Sequence, residues 1–186
     1  ASEEASAAAL GEFPPPMIFT IVKESIAVVR TDAGKLGSAV ALSSVNGKGT
    51  AFATNCHILI GATKATVSNH NGESIAILVA GIPKHDTCVL FSELPAAGVK
   101  TFNALNLLVG EKVFAVGAPR GLELSMSEGI VSAKRGNPFF DPPMLIQTTA
   151  AISAGSSGGG LFDARGRLIG ITTFKIRDGE NLNFAI

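Results

Sequence analysis

The chain has 186 residues, of which 46% are hydrophobic and only 16% are charged, whereas about a quarter are charged in a typical globular domain. A chain of this length and composition buries one large core, or two half-domains that share a core, and is not disordered. Fifteen Lys and Arg balance fifteen Asp and Glu, so the basic excess of a nucleic-acid binder is absent. The longest apolar run, 75–82, is far shorter than the roughly 20 residues of a membrane span.

The first sixteen residues are acidic, small and rich in proline, which predicts a flexible N-terminal segment (1–16) without a visible signal peptide. After them, short runs rich in Val, Ile, Thr and Phe alternate with Gly, Asn, Pro and Ser, as is typical of all-β proteins. Only residues 22–30 compete as a helix, and their length is marginal. We predict strands within 17–22, 25–30, 37–42, 49–54, 74–82, 87–91, 111–117, 129–134, 144–149 and 167–174.

Turn signals separate several of these runs. The dipeptides Asn46-Gly47 and Asn71-Gly72 tolerate positive φ and predict hairpins, and residues 163–166 (DARG) predict another. A looser stretch, 93–108, links two halves of the chain, and 137–143 reads as a loop bounded by prolines. Two small antiparallel barrels fit this layout, and one continuous sandwich fits it as well.

The segment AGSSGGGLF (154–162) surrounds Ser157 with glycines. Glycines permit a tight, strained turn, and such a turn can aim backbone N–H groups at one point, as an oxyanion hole requires. A Gly-Ser linker is a weak alternative because strand signals flank the segment on both sides. The segment also matches the G-x-S-x-G elbow of α/β-hydrolases. Those enzymes place their catalytic histidine after the serine, but no histidine follows Ser157 in this chain.

A serine hydroxyl needs a base, and the base needs a carboxylate to orient it. His57 follows an apolar run, His70 lies in an exposed turn, and His85 directly precedes Asp86. Asp86 starts the run DTCVLF, where an inward-facing acid would be costly without a partner. The other candidate acids lie in turn-like contexts and are expected to be solvated: Asp32, Asp141, Asp163 and Asp178.

Three motifs resemble the chymotrypsin-like serine peptidases, and among them the bacterial trypsin-like group of the HtrA/Deg proteases. They are ATNCHIL with His57, HDTCVLF with Asp86, and QTTAAISAGSSGGGLF with Ser157, in the His–Asp–Ser order of the chymotrypsin fold. The segments GAPRGLELSMSEGIVSA and GRLIGITTF are also similar to that group, so the resemblance runs from about residue 37 to residue 186.

The resemblance implies an all-β fold of two six-stranded antiparallel β-barrels with the active site in the cleft between them. An N-terminal barrel at 17–98 would carry His57 and Asp86, and a C-terminal barrel at 99–186 would carry Ser157 and the S1 pocket. Together they would form one peptidase domain after the flexible segment 1–16.

The resemblance also implies a role for each site residue. Ser157 would be the nucleophile, His57 the general base and then acid, and Asp86 the residue that orients His57. The backbone N–H groups of Gly155 and Ser157 would form the oxyanion hole. The implied activity is that of a serine endopeptidase that proceeds through an acyl-enzyme and needs neither metal nor cofactor.

The S1 pocket of such a peptidase would have Ala151 at its floor and Thr172, Thr173 and Phe174 in its wall. Because no Asp lies at the floor, we do not expect a preference for Arg or Lys at P1. The prediction is cleavage after small or medium apolar residues such as Val, Ala or Leu.

Cys56 precedes His57, and Cys88 lies two residues after Asp86, so a hydrogen bond between His57 and Asp86 would bring the two cysteines together. We therefore expect a Cys56–Cys88 disulfide, and two buried reduced thiols are the alternative. A disulfide, like the resemblance, implies a periplasmic or secreted location.

The implied partners are polypeptide substrates, with no nucleic acid and no membrane span. HtrA-like proteins often form trimers through their N-terminal segment, for which Phe13 and Phe19 are candidates. They usually continue into a PDZ domain, so this chain is expected to be an excised protease domain. Two other functions stay open: an idle or latent protease-fold module that binds peptides, and a serine esterase.

Overall fold

The computed structural model describes residues 11–119, 123–136, 145–177 and 180–186, and of 174–177, 180–182 and 184 it describes the backbone alone. The predicted loop 137–143, with Asp141, and the candidate acid Asp178 lie outside these residues. The described strands are β1 (Ile26–Thr31), β2 (Leu36–Ser44), β3 (Thr50–Thr54), β4 (Ala65–Asn69), β5 (Gly72–Ile82), β6 (Thr87–Ser92), β7 (Lys112–Gly117), β8 (Ser125–Arg135), β9 (Leu145–Thr148), β10 (Gly160–Asp163), β11 (Leu168–Arg177) and β12 (Glu180–Ala185).

These strands form two closed antiparallel barrels of six strands each, which confirms the predicted fold class. The first barrel has the order β1-β2-β3-β6-β5-β4, and the second has the order β10-β11-β12-β9-β8-β7. The strands of each barrel fall within the predicted halves 17–98 and 99–186, whose limits remain predictions.

The predicted hairpin turns are present. Asn46 and Gly47 have φ values of 51° and 66°, which suits a two-residue turn between β2 and β3. Asn69 pairs with Gly72 across the turn that joins β4 to β5. The third turn is closed by the N–H of Gly166, which donates to the carbonyl of Asp163.

The run 17–22 was predicted to be a strand, and this prediction is wrong. These residues belong to helix α1 (Pro15–Val22), which begins inside the predicted flexible segment. Proline at the start suits a helix because its fixed φ is helical and its missing N–H would be unpaired there anyway. Ile18 and Val22 are four residues apart, so they share one helix face, and both are buried. The described helices include none long and apolar enough to cross a membrane.

The competing helix at 22–30 is also wrong, because these residues comprise the end of α1, a 3₁₀ turn (Lys23–Ser25) and most of strand β1. β-Branched residues at 28 and 29 favour the strand instead.

A hydrophobic core joins the two barrels and helix α1. Phe114 and Phe162 of the second barrel are fully buried against Ile18 of the helix and Val40 of the first barrel. Full burial of an apolar side chain stabilises a fold by about 1.5–3 kcal/mol, so this shared core holds the barrels together. Phe19 packs against the same core, and Phe13 remains 40% exposed.

Candidate active site

His57 and Asp86 lie at the ends of neighbouring strands. Thr54 of β3 pairs with Cys88 of β6, so the 3₁₀ turn after β3 (Cys56–Leu59) lies beside the residue that precedes β6. One carboxylate oxygen of Asp86, Oδ2, is 2.7 Å from His57 Nδ1, and Oδ1 accepts a hydrogen bond from the His57 backbone N–H at 2.8 Å. In the neutral imidazole, a proton on Nδ1 leaves Nε2 unprotonated, which is the form that a general base requires.

The Asp86 carboxylate is stabilised in its ionised form. Burial raises its pKa, but hydrogen bonds from the His57 ring, the His57 backbone and Thr173 outweigh burial and hold the pKa below its ordinary value. Thr173 Oγ1 of β11 lies 3.3 Å from Asp86 Oδ2, so the second barrel also contacts the acid. Asp86 adopts the left-handed conformation with φ 54°, which aspartate tolerates better than most residues.

Cys56 and Cys88 form a disulfide, as expected. The two half-cystines lie one residue before His57 and two residues after Asp86, so the covalent bond joins the two chain segments that carry these residues. The Asp86 carbonyl also accepts hydrogen bonds from the Cys56 N–H and the Asn55 side chain. The His57–Asp86 pair is therefore held by backbone, side-chain and covalent contacts.

Replacement of Cys56 and Cys88 by serine is expected to lower the free energy of unfolding by roughly 2–4 kcal/mol, because the bond constrains the unfolded chain. Urea unfolding of the oxidised protein and the Cys56→Ser/Cys88→Ser variant measures the difference. Adding reductant to the variant serves as the control and is expected to change nothing. Equal stability of the two proteins would show that the bond contributes little.

Ser157 lies in a turn that is fixed by strands of both barrels. Its backbone carbonyl accepts a hydrogen bond from the N–H of Ser38 in β2 at 2.8 Å. The next residue, Gly158, donates its N–H to the carbonyl of Thr172 in β11, also at 2.8 Å. Gly155 and Gly158 both have φ of 88°, which a residue with a side chain rarely adopts.

The chain segments that carry the three predicted catalytic residues lie close together. A Cβ added at Gly37 would lie 2.2 Å from Ile58 Cδ1 and 3.0 Å from the Ser157 carbonyl, so the residue after His57 and the predicted nucleophile meet at one glycine. Thr172 bonds the Ser157 turn, and its neighbour in β11 reaches Asp86. Ser157 itself is 6% exposed.

The predicted specificity residues have different surroundings. Ala151 and Thr172 line a cavity of about 190 Å³. Ser125, Ser127 and Ser153 also line it. Thr173 contacts Asp86, as described above. Phe174 lies in β11 opposite Asn183, and its side chain is outside the described part of the chain.

The other candidate residues lie elsewhere. His70 Nε2 is 2.8 Å from a carboxylate oxygen of Glu24 in an exposed pair on the first barrel. The expectation that Asp163 is solvated is wrong: it is 4% exposed and is paired with Arg167 at 2.7 Å. Its position at the end of β10 buries the carboxylate, and the arginine compensates for the lost hydration. Among the described residues, no cluster of three His, Cys, Asp or Glu side chains could hold a metal ion.

Ser38 is a site residue that sequence reasoning missed. It is fully buried, and its side chain and backbone both contact the Ser157 turn. A hydroxyl within an apolar run such as GSAVAL is also common in strands without any function, so the sequence holds no signal that distinguishes it.

Comparison with known proteins agrees with this geometry. A family model described as a trypsin-like peptidase domain matches residues 37–171. "Serine protease Do-like HtrB" of Bacillus subtilis is 37% identical over 148 residues, which are 72% of this chain and 32% of that protein. "Probable periplasmic serine endoprotease DegP-like" of Chlamydia trachomatis is 36% identical over 124 residues, 64% of this chain and 25% of its own length.

A solved structure has the same fold. "HtrA-type protease AlgWS227A with tripeptide" superposes with a TM-score of 0.81 at 32% sequence identity and covers 94% of this chain. The match covers 60% of that structure. The chain spans about a quarter to a third of the length of the two curated relatives.

Proposed function

We propose that this chain, which belongs to the HtrA/DegP family of trypsin-like peptidase domains, is a serine endopeptidase. The observation that carries the proposal is the contact between His57 Nδ1 and Asp86 Oδ2 at 2.7 Å, beside a glycine turn that bears Ser157. A carboxylate bound to Nδ1 orients the imidazole and directs its second nitrogen toward a nucleophile.

In the proposed reaction, Ser157 Oγ attacks the carbonyl carbon of the scissile peptide while His57 Nε2 accepts the hydroxyl proton. The backbone N–H groups of Gly155 and Ser157 bind the oxyanion of the tetrahedral intermediate. The intermediate collapses, the C–N bond breaks, and the leaving amine takes the proton from His57. A water molecule then hydrolyses the acyl-enzyme with the same base, which restores the Ser157 hydroxyl.

The experiment is labelling with a fluorophosphonate probe, followed by peptide mapping, on the wild-type chain and on Ser157→Ala. We expect the label on Ser157 in the wild type and none in the variant, because only an activated hydroxyl reacts rapidly with the probe. Ser44→Ala, on an exposed position of β2, is the control and should label normally. Failure of the wild type to label would favour the alternative of an idle or latent peptide-binding module.

The proposed specificity is for small or medium apolar residues at P1. Ala151, a small uncharged residue beside the described cavity, supports it because an acidic floor would be needed to attract Arg or Lys. We expect kcat/KM for Val, Ala or Leu at P1 to exceed that for Arg by about tenfold or more. A panel of peptides that differ only at P1 measures this, and faster cleavage after Arg or Lys would contradict it. A matched ester panel separates an endopeptidase from an esterase.

The proposed substrates are polypeptides, which the peptide complex named in the solved structure supports. The proposed location is the periplasm or the outside of the cell. The Cys56–Cys88 disulfide supports this location because such bonds persist in oxidising compartments, and a relative is named periplasmic. A trimer formed through the N-terminal segment stays a prediction.

A further inference from the structure

We propose that two hydroxyl groups, one from each barrel, position the oxyanion hole. They are Ser38 Oγ of β2 and Thr172 Oγ1 of β11, and together they form what we name the hydroxyl clamp. The inference rests on the proposed function, because it concerns the segment that would bind the oxyanion, residues 155–157.

The Ser38 side of the clamp is fully hydrogen-bonded. Ser38 Oγ donates to the carbonyl of Gly155 at 3.0 Å and accepts the N–H of Ala118 at 3.0 Å. The Ser38 backbone donates to the Ser157 carbonyl at 2.8 Å, and its own carbonyl accepts Thr54 Oγ1 at 2.7 Å. Because Ser38 is fully buried, these contacts are shielded from bulk solvent.

The Thr172 side of the clamp holds the next carbonyl of the same segment. Thr172 Oγ1 donates to the Ser156 carbonyl at 2.9 Å, and the N–H of Gly159 donates to the same oxygen at 3.0 Å. Thr172 is 1% exposed, so this contact is also shielded from solvent. Thr172 was predicted to line the S1 wall, but its hydroxyl is already hydrogen-bonded to the segment that bears Ser157.

Each carbonyl that the clamp holds fixes the direction of the N–H group in the same peptide: the Gly155 carbonyl fixes the Ser156 N–H, and the Ser156 carbonyl fixes the Ser157 N–H. In a planar trans peptide the C=O of one residue and the N–H of the next point in opposite directions. A Ser156 carbonyl held by Thr172 therefore turns the Ser157 N–H, a proposed oxyanion donor, to the opposite side. The Gly155 carbonyl is held by Ser38, and the N–H of the same peptide donates to Ser153 at 2.9 Å. Neither peptide can rotate without breaking buried hydrogen bonds.

Such preorganisation acts on the transition state more than on the bound substrate, because the oxyanion charge develops only there. Ser38 and Thr172 are thus positioning residues, which do not touch the reacting atoms. This sets the expected signature: a lower kcat with little change in KM.

The test compares Ser38→Ala and Thr172→Val with the wild type. We expect kcat to fall about tenfold or more in each variant, with KM within about twofold, because each loses a contact that orients the loop. Affinity for a peptide boronic acid, which forms a tetrahedral adduct on Ser157, should fall by a similar factor. Affinity for a cleaved product peptide should not change.

The matched control is Ser92→Ala. Ser92 is a buried serine of β6 whose hydroxyl contacts the N–H of Leu94, away from the Ser157 turn. It should lose stability without losing kcat. Thr172→Val preserves side-chain volume, so the test holds even if Ser38→Ala does not fold.

If the folded clamp variants keep the kcat and the boronate affinity of the wild type, and the wild type labels at Ser157, the clamp is overturned and the proposed function is not. A change in melting temperature alone would do the same, since that is the signature of a structural role. A wild type that does not label removes the proposed function, and the clamp with it.

Discussion

Asp86→Asn is expected to lower kcat/KM by about 10⁴-fold and to leave both barrels folded. Both carboxylate oxygens of Asp86 accept hydrogen bonds, from the ring and the backbone of His57. An amide supplies one acceptor and one donor, so the residue can no longer accept at both positions. The imidazole then takes the wrong tautomer or orientation, and a loss of this size is typical when a serine peptidase loses its carboxylate.

Steady-state hydrolysis of a peptide with an apolar P1 residue measures the effect, and circular dichroism verifies the fold. The control is Glu24→Gln, which disrupts a second histidine–carboxylate pair, the one that Glu24 forms with His70 at 2.8 Å. That exposed pair should be dispensable for catalysis. An Asp86→Asn enzyme within tenfold of the wild type would mean that His57 is oriented without the carboxylate.

The Asp86 carboxylate also predicts how the stability of the fold depends on pH. The folded pKa of Asp86 lies below its ordinary value, so the ionised carboxylate stabilises the folded state at neutral pH. This contribution is present above the ordinary aspartate pKa of about 3.9 and is lost as the pH falls through the lower folded value. The difference in unfolding free energy between the wild type and Asp86→Asn should therefore shrink below about pH 4.

Gly158→Ala is expected to destabilise the fold by about 3–4 kcal/mol and to abolish labelling of Ser157. A Cβ at this position would lie 2.1 Å from the Ser38 carbonyl oxygen and 2.5 Å from Thr54 Oγ1. The φ of 88° adds backbone strain for any residue with a side chain. The clash could be relieved only by moving the turn away from β2, which would also release the Ser157 carbonyl.

Gly47→Ala separates the effect of backbone strain from the effect of the steric clash. Gly47 also has a positive φ, 66°, but an added Cβ would find no atom within 4 Å. This variant should lose about 1–2 kcal/mol and keep full labelling, because it carries only the backbone strain. Urea unfolding of the two variants gives the comparison. Equal losses would show that the contact with Ser38 relaxes at little cost.

The strands were largely predictable because their signals are local. Alternating apolar residues and Asn-Gly turns mark most of them without reference to the rest of the chain. Strand β4 was missed because only Ala65 and Val67 of its five residues are buried, so its pattern is too short to stand out. Helix α1 was mistaken for a strand because its apolar run satisfies both periods, and the packing of Ile18 and Val22 between the barrels favours the helix.

The residues of the candidate site also differ in how readily the sequence reveals them. His57, Asp86 and Ser157 lie in motifs of distinctive composition, so a reader of the sequence can find them. Ser38 lies 117 residues from the carbonyl of Gly155 that it contacts, and nothing near it in the sequence announces the contact. Burial of Asp163 was likewise set by Arg167 across a turn rather than by its polar neighbours.

The division of the site between two barrels has a consequence for the ribosome-bound chain. His57 and Asp86 belong to a barrel whose last strand ends at Ser92, whereas Ser157 lies in a barrel that needs β12, which ends at Ala185. Domains commonly fold in the order of their synthesis, so the first barrel can close before Ser157 has been synthesised. Under the proposed mechanism, a nascent chain therefore carries His57 without its reaction partner until β12 has left the exit tunnel.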